Sequence, residues 1–133
     1  MISPTELFVD GTFLPSASRQ RTTLINPATE EPFAEIARAD LSDVNNAIES
    51  AQRAWASGWR DLVPGKRESV LHAVARKLRE HVEEIAQLET LHMGKPISDA
   101  RDEAALGARV FEYYAGAVTK FCGQTIPVGR GGF

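Results

Sequence analysis

The chain has a single cysteine, Cys122, in 133 residues, so no internal disulfide can form and no neighbouring cysteine completes a redox or zinc pair. Stability must therefore come from packing. Long apolar runs are missing too: no stretch approaches the roughly 18 residues that a membrane span needs. The opening residues, Met1-Ile-Ser-Pro-Thr-Glu6, lack the basic region and apolar core of a secretory signal, which favours the cytoplasm. An excess of one charge is also absent. The formal net charge is -3 and acids and bases are interleaved, so no field exists to collect nucleic acid or anionic lipid. What remains is an ordinary globular balance, 43% apolar and 25% charged, at a length suited to one domain.

The first third reads as short strands. In Leu7-Phe8-Val9-Asp10-Gly11-Thr12-Phe13-Leu14, two apolar runs flank Asp-Gly, a pair that accepts the positive φ angles of a two-residue hairpin turn. Ser16 to Arg21 is polar and aperiodic and reads as a loop, after which the β-branched Thr22-Thr23-Leu24-Ile25 reads as a strand. Asn26-Pro27-Ala28-Thr29 should turn the chain, because proline excludes the helical region at Asn26 and the Asn side chain can close a local turn. Phe33 to Ala37 is the expected returning strand.

Helical periodicity begins at Asp40, a candidate N-cap, with Val44, Ala47, Ile48, Ala51 and Trp55 on one face and an end near Gly58. A second pattern starts at Pro64, places Val70, Leu71, Val74, Leu78, Val82, Ile85 and Leu88 on one side, and breaks near His81. After Gly94, Pro96 opens a third helix whose expected stripe is Ala100, Ala104, Gly107, Val110, Phe111, Tyr114, Val118 and Phe121, ending at Gly123. The tail from Gln124 begins like a strand. No internal repeat and no linker divides the chain.

Few residues invite a chemical reading. Cys122 at the end of a helix reads as a structural cysteine, buried as free cysteines usually are. His72, His81 and His92 lack the i, i+4 spacing of paired ligands on one helical face. Glu83-Glu84 and Asp102-Glu103 read as solvated faces, and Tyr113 and Tyr114 as packing groups.

Taken in order, Leu7-Phe8-Val9-Asp10-Gly11, Ile25-Asn26-Pro27-Ala28-Thr29, Leu88-Glu89-Thr90-Leu91 with Gly94-Lys95-Pro96, Tyr113-Tyr114-Ala115-Gly116 and Gly123-Gln124-Thr125-Ile126-Pro127 form a specific series. In order and spacing it resembles the NAD(P)-dependent aldehyde dehydrogenase superfamily over essentially the whole chain. The resemblance implies an α/β aldehyde-dehydrogenase-like fold, of which residues 1–133 would be the N-terminal part of the cofactor-binding region. Strands would run over about 7–37, helices over about 40–122 and a terminal edge strand over about 124–133. That makes two short β-hairpins, three or four amphipathic helices, and the edge strand.

The resemblance also implies what such an enzyme uses. A cysteine thiolate attacks the aldehyde, hydride passes to NAD or NADP, and a glutamate activates water to release the carboxylic acid. The family's residues for these steps follow the segment present here, as does its oxyanion-binding asparagine. No residue of this chain is therefore assigned a catalytic, cofactor-binding or metal-binding role, and the chain alone is expected to be inactive. Gly129-Arg130-Gly131-Gly132 has no helix after it to make a dinucleotide turn. Two positions carry over in part. Leu106 and Val110 correspond to a helix face that contributes to the aldehyde tunnel in relatives, with plain helix packing as the other reading. At position 92 many relatives carry an aspartate that, with carbonyls near the Ile25 equivalent, holds a structural monovalent cation; here the residue is His92.

In relatives this segment packs on the dinucleotide-binding domain, and its last strand enters a sheet used in homo-oligomer assembly, as a dimer or tetramer. Without those partners the apolar faces would be exposed and the chain prone to associate. A chain halting in Gly-Gly-Phe is expected to be a fragment of such an oxidoreductase. The alternative is a non-catalytic truncated module that pairs with full-length subunits.

Overall fold

The structure is a computed structural model and describes residues 5–124. The terminal strand expected over about 124–133, with Ile126 and Val128, lies outside the described residues apart from its first position.

Leu7–Val9 (β1) and Thr12–Leu14 (β2) pair antiparallel, with Phe8 opposite Phe13. Asp10 and Gly11 both take positive φ, 53° and 77°, which is the turn the Asp-Gly pair was expected to make. The two phenyl rings lie 4.9 Å apart across the pair. Arg21–Ile25 (β3) and Pro32–Ala37 (β4) form a second antiparallel pair with a register shift between Leu24 and Ile25. Their turn is closed by Asn26: its Oδ1 accepts from Ala28 N at 2.9 Å, and its carbonyl accepts from Glu30 N at 2.8 Å. Arg21 ties this pair to the N-terminal segment, donating to Glu6 Oε1 at 2.8 Å, Thr5 Oγ1 at 3.0 Å and the Glu35 carbonyl at 2.8 Å.

Leu41–Ala54 (α1) is capped by Asp40, which accepts from the amides of Ser42 and Asp43, while Asp43 accepts in return from Asp40 N at 3.0 Å. Asp43 is buried and also accepts from Ala17 N, at 3.1 and 3.3 Å, pinning the 16–20 loop to the start of the helix. This anchoring decides which side of α1 faces inward. Asp43, Ala47 and Ser50 occupy the inner side, so of the expected stripe only Ala47 is partly covered, while Val44, Ile48, Ala51 and Trp55 are exposed. A π-helical turn, Trp55–Trp59, ends the element, with Gly58 at φ 141°.

Pro64–Glu80 (α2) and Val82–Met93 (α3) are separated at His81, as the sequence indicates; its φ and ψ of -114° and 13° interrupt the helix. Ile97–Val118 (α4) packs against both. The seam among the three is made of alanine: Ala75, Ala86, Ala100, Ala108 and Ala115 are its fully enclosed apolar side chains. Small side chains let the helix backbones approach closely, and each buried methyl contributes on the order of 0.8 kcal/mol. The inner face of α4 is thus rotated from the expected stripe. Val110, Phe111 and Tyr114 are exposed, and the larger apolar groups flank the seam or face away from it. Phe121 lies beyond the helix, which stops at Val118 rather than near Gly123, where a β-branched pair, Val118-Thr119, weakens helical propensity. Cys122 follows and is exposed, not buried as expected.

Ion pairs span the helices. Arg79 grips Glu112 through two bonds, 2.9 and 2.6 Å, and Arg101 grips Glu83 through two of 2.8 Å. Lys95 joins Glu89 of α3 at 2.8 Å to Glu103 of α4. Glu83 and Glu103 are therefore not simply solvated faces: each fixes one helix against a neighbouring segment.

Candidate functional site

The site is built on α4. At about 100° per residue, Leu106 sits roughly 160–180° around the helix from Ala108 and Ala115. The alanine seam therefore turns Leu106 outward. Leu106 is 54% exposed and Val110, one turn on, 45% exposed. Packing within the described chain does not use this face. Tyr113 extends it and meets Tyr114 edge-on at 5.3 Å and 88°. The result is a ridge about 10 Å long, with the Tyr113 hydroxyl at its end and exposed Arg109 at its side. It offers contact area and shape, not a nucleophile, acid or base.

The base of the ridge is held by charge. Glu103, one turn before Leu106, engages Lys95, and Lys95 also engages Glu89, so the start of α4 is fixed to α3. Paired this way, Lys95 holds its proton above the ordinary lysine range, chiefly through Glu103 and then Glu89. The Arg101 guanidinium, helped by the Gln87 amide, holds the Glu83 carboxyl down to about 2.

A second cluster gathers where α3 ends. Gly94 takes φ 70°, and a Cβ built there would stand 3.0 Å from Pro27 Cγ. The Asn26-Pro27 turn and the Gly94-Lys95-Pro96 segment, far apart in sequence, thus meet. His92 stands edge-on to Phe33 at 6.3 Å and 77°. The other histidines lie elsewhere: His81 Nδ1 is 3.0 Å from Glu84 Oε2, and His72 is 4.0 Å from Glu68. Among the described residues, no group of three or more His, Cys, Asp or Glu side chains is placed to hold a metal ion.

Of the two tunnel candidates, then, Leu106 and Val110 share one outward face. Three features escaped the sequence reading: the second bond of Asp43, the Lys95 bridge, and the Gly94–Pro27 contact. A trace of the first was present, since Asp40 and Asp43 have capping-box spacing.

The described residues thus present apolar faces outward and bring together no cluster of His, Cys, Asp or Glu that could hold a metal ion. The sequence model of the aldehyde dehydrogenase family matches residues 13–133, and the chain belongs to that family. It is 41% identical over 125 residues to the "Putative aldehyde dehydrogenase DhaS" of Bacillus subtilis, covering 92% of this chain and 25% of that one. It is 38% identical over 128 residues to the mitochondrial aldehyde dehydrogenase family 2 member B4 of Arabidopsis thaliana, covering 95% of this chain and 24% of that one. Among solved structures, the fold matches an aldehyde dehydrogenase from Bacillus cereus with a TM-score of 0.91 and 34% identity, covering 96% of this chain and 26% of that one. A betaine aldehyde dehydrogenase from Staphylococcus aureus, solved with NAD+, matches with a TM-score of 0.89 and 31% identity over 94% of this chain and 25% of that one. The chain spans about a quarter of the length of these relatives.

Proposed function

We propose that this chain is the N-terminal part of an NAD- or NADP-dependent aldehyde dehydrogenase, and that it supplies a wall of the substrate tunnel rather than the reacting groups. The full-length protein would oxidise an aldehyde to the carboxylic acid, with hydride passing to the dinucleotide. The observation that carries the reading is the outward ridge of α4. Leu106 and Val110 are large apolar side chains turned away from the only bundle available to them among the described residues, on a family scaffold whose reaction needs a dry, shaped approach. The reading carries with it a cytoplasmic homo-oligomer, which fractionation and sizing of the full-length protein would test. No helix among the described residues is long and apolar enough to cross a membrane.

The test has two arms. The 133-residue chain, given NAD or NADP and a panel of aliphatic and aromatic aldehydes, is expected to reduce no cofactor above background. Turnover abolished by Cys122→Ala would overturn that. In the full-length protein, Leu106→Ala should raise kcat/KM for bulky aldehydes relative to short ones by about tenfold, the scale of a pocket that gains a few carbons of space. An unchanged ratio would remove Leu106 from the tunnel.

A further inference from the structure

The family resemblance implies a monovalent cation between position 92 and the backbone near Ile25, and the structure allows the residues there to be judged as ligands. Half of that arrangement is retained. Leu24 and His92 line the same cavity, of about 360 Å³, and Gly94 abuts Pro27, so the end of α3 and the β3–β4 turn are brought together. The side-chain donor is not: position 92 carries an imidazole. Sodium and potassium favour oxygen, whereas a neutral imidazole suits softer transition metals. The exposed His92 ring stands edge-on to Phe33, and the cavity is otherwise walled by Leu24, Ile85, Leu88 and Met93. Glu89, the one carboxylate among the residues lining it, accepts from Lys95 at 2.8 Å. Beside the backbone carbonyls of the turn, a hard cation would find an apolar wall and, in Glu89, a carboxylate already engaged.

We propose that the chain takes no sodium or potassium at this junction, where the edge-on His92–Phe33 pair stands in the place the family resemblance implies for an alkali cation. The inference concerns this chain's own residues and does not depend on the tunnel assignment. Its test is thermal unfolding of the full-length protein in potassium, sodium and choline chloride at matched ionic strength, with sodium NMR line width as a direct binding readout. The wild-type protein should melt at the same temperature in all three salts and leave the sodium line unbroadened. His92→Asp, which restores a carboxylate, should melt lower in choline and regain several degrees in sodium or potassium with a saturable dependence. Phe33→Leu should lower the melting temperature of the wild type by more than that of His92→Ala, because the contact is already gone in the latter. A saturable, alkali-specific rise in the wild type, or line broadening by it, would overturn the proposal. An alkali response missing from His92→Asp would overturn position 92 as the lost donor, and equal losses from Phe33→Leu in both backgrounds would overturn the His92–Phe33 contact as what stands in its place.

Discussion

Gly94→Ala tests the place where two distant segments touch. Its φ of 70° lies in the left-handed region, which costs an ordinary L residue about 1–2 kcal/mol. The added Cβ would also stand 3.0 Å from Pro27 Cγ. Carbon pairs prefer about 3.5–4.0 Å, so the proline ring would have to retreat by roughly half an ångström. Overpacking a core costs about 1–3 kcal/mol, and this turn, open to solvent, belongs at the lower end. Together the two effects give about 2–3 kcal/mol. In urea, with a slope on the order of 1–3 kcal/mol/M, the midpoint of unfolding should fall by about 1 M. Pro27→Ala separates the contributions: in that background the contact is gone, and Gly94→Ala should cost only the backbone strain, about 1–2 kcal/mol. A loss below about 0.5 kcal/mol in the wild type, or an identical loss in both backgrounds, would refute the reasoning.

Three further outcomes are expected. Asp43→Ala should destabilise the chain by about 2 kcal/mol in the same urea assay, because it strips an acceptor from the amides of Ala17 and Asp40; loss of order confined to the 16–20 loop, read by amide hydrogen exchange, would be its signature. Acid should weaken the fold through Glu83: its carboxyl is depressed to about 2 in the folded chain, from an ordinary value of 4.5, so its stabilisation is complete above about pH 4.5 and is lost as pH falls towards 2. Melting curves across that window should flatten in Glu83→Gln, and unchanged pH dependence would show that the Arg101 pair carries no linkage. Gly11→Val should unsettle the first hairpin by about 1–2 kcal/mol, since a β-branched residue resists a φ of 77°, and cross-strand NMR contacts between Phe8 and Phe13 would report it.

The parts of the fold that sequence revealed are those fixed by a few consecutive residues. Asp10-Gly11 must turn because few other pairs accept two positive φ angles, Asn26-Pro27 closes on its own side chain, and Asp40 caps the helix that follows it. The orientation of the helices was far less legible. Periodicity marks where large apolar side chains lie, which is the inner face only where the same chain covers them. On α1 and α4 the inner face instead belongs to small or hydrogen-bonded residues, and the large ones are turned outward. A window of sequence cannot distinguish a stripe covered by its own chain from one covered by another segment. Contacts over long separations were hidden for the same reason: Asp43 meets Ala17 across 26 positions and Arg79 meets Glu112 across 33. The family pattern points to Leu106 and Val110, and the alanine seam on the opposite side of α4 accounts for their exposure.

That seam sets a length as well as a contact. Alanine has no rotamers, so Ala75, Ala86, Ala100, Ala108 and Ala115 lose no side-chain freedom when enclosed, and none of them can swing aside to accommodate a change. The spacing of α4 from its neighbours is therefore held like a shim of fixed thickness. Thickening it at Ala108 or Ala115, even by the two methyl groups of a valine, would displace the whole helix. The ridge bearing Leu106 and Val110 would move with it, so its position can be retuned from the opposite side of the helix while the ridge itself keeps every residue.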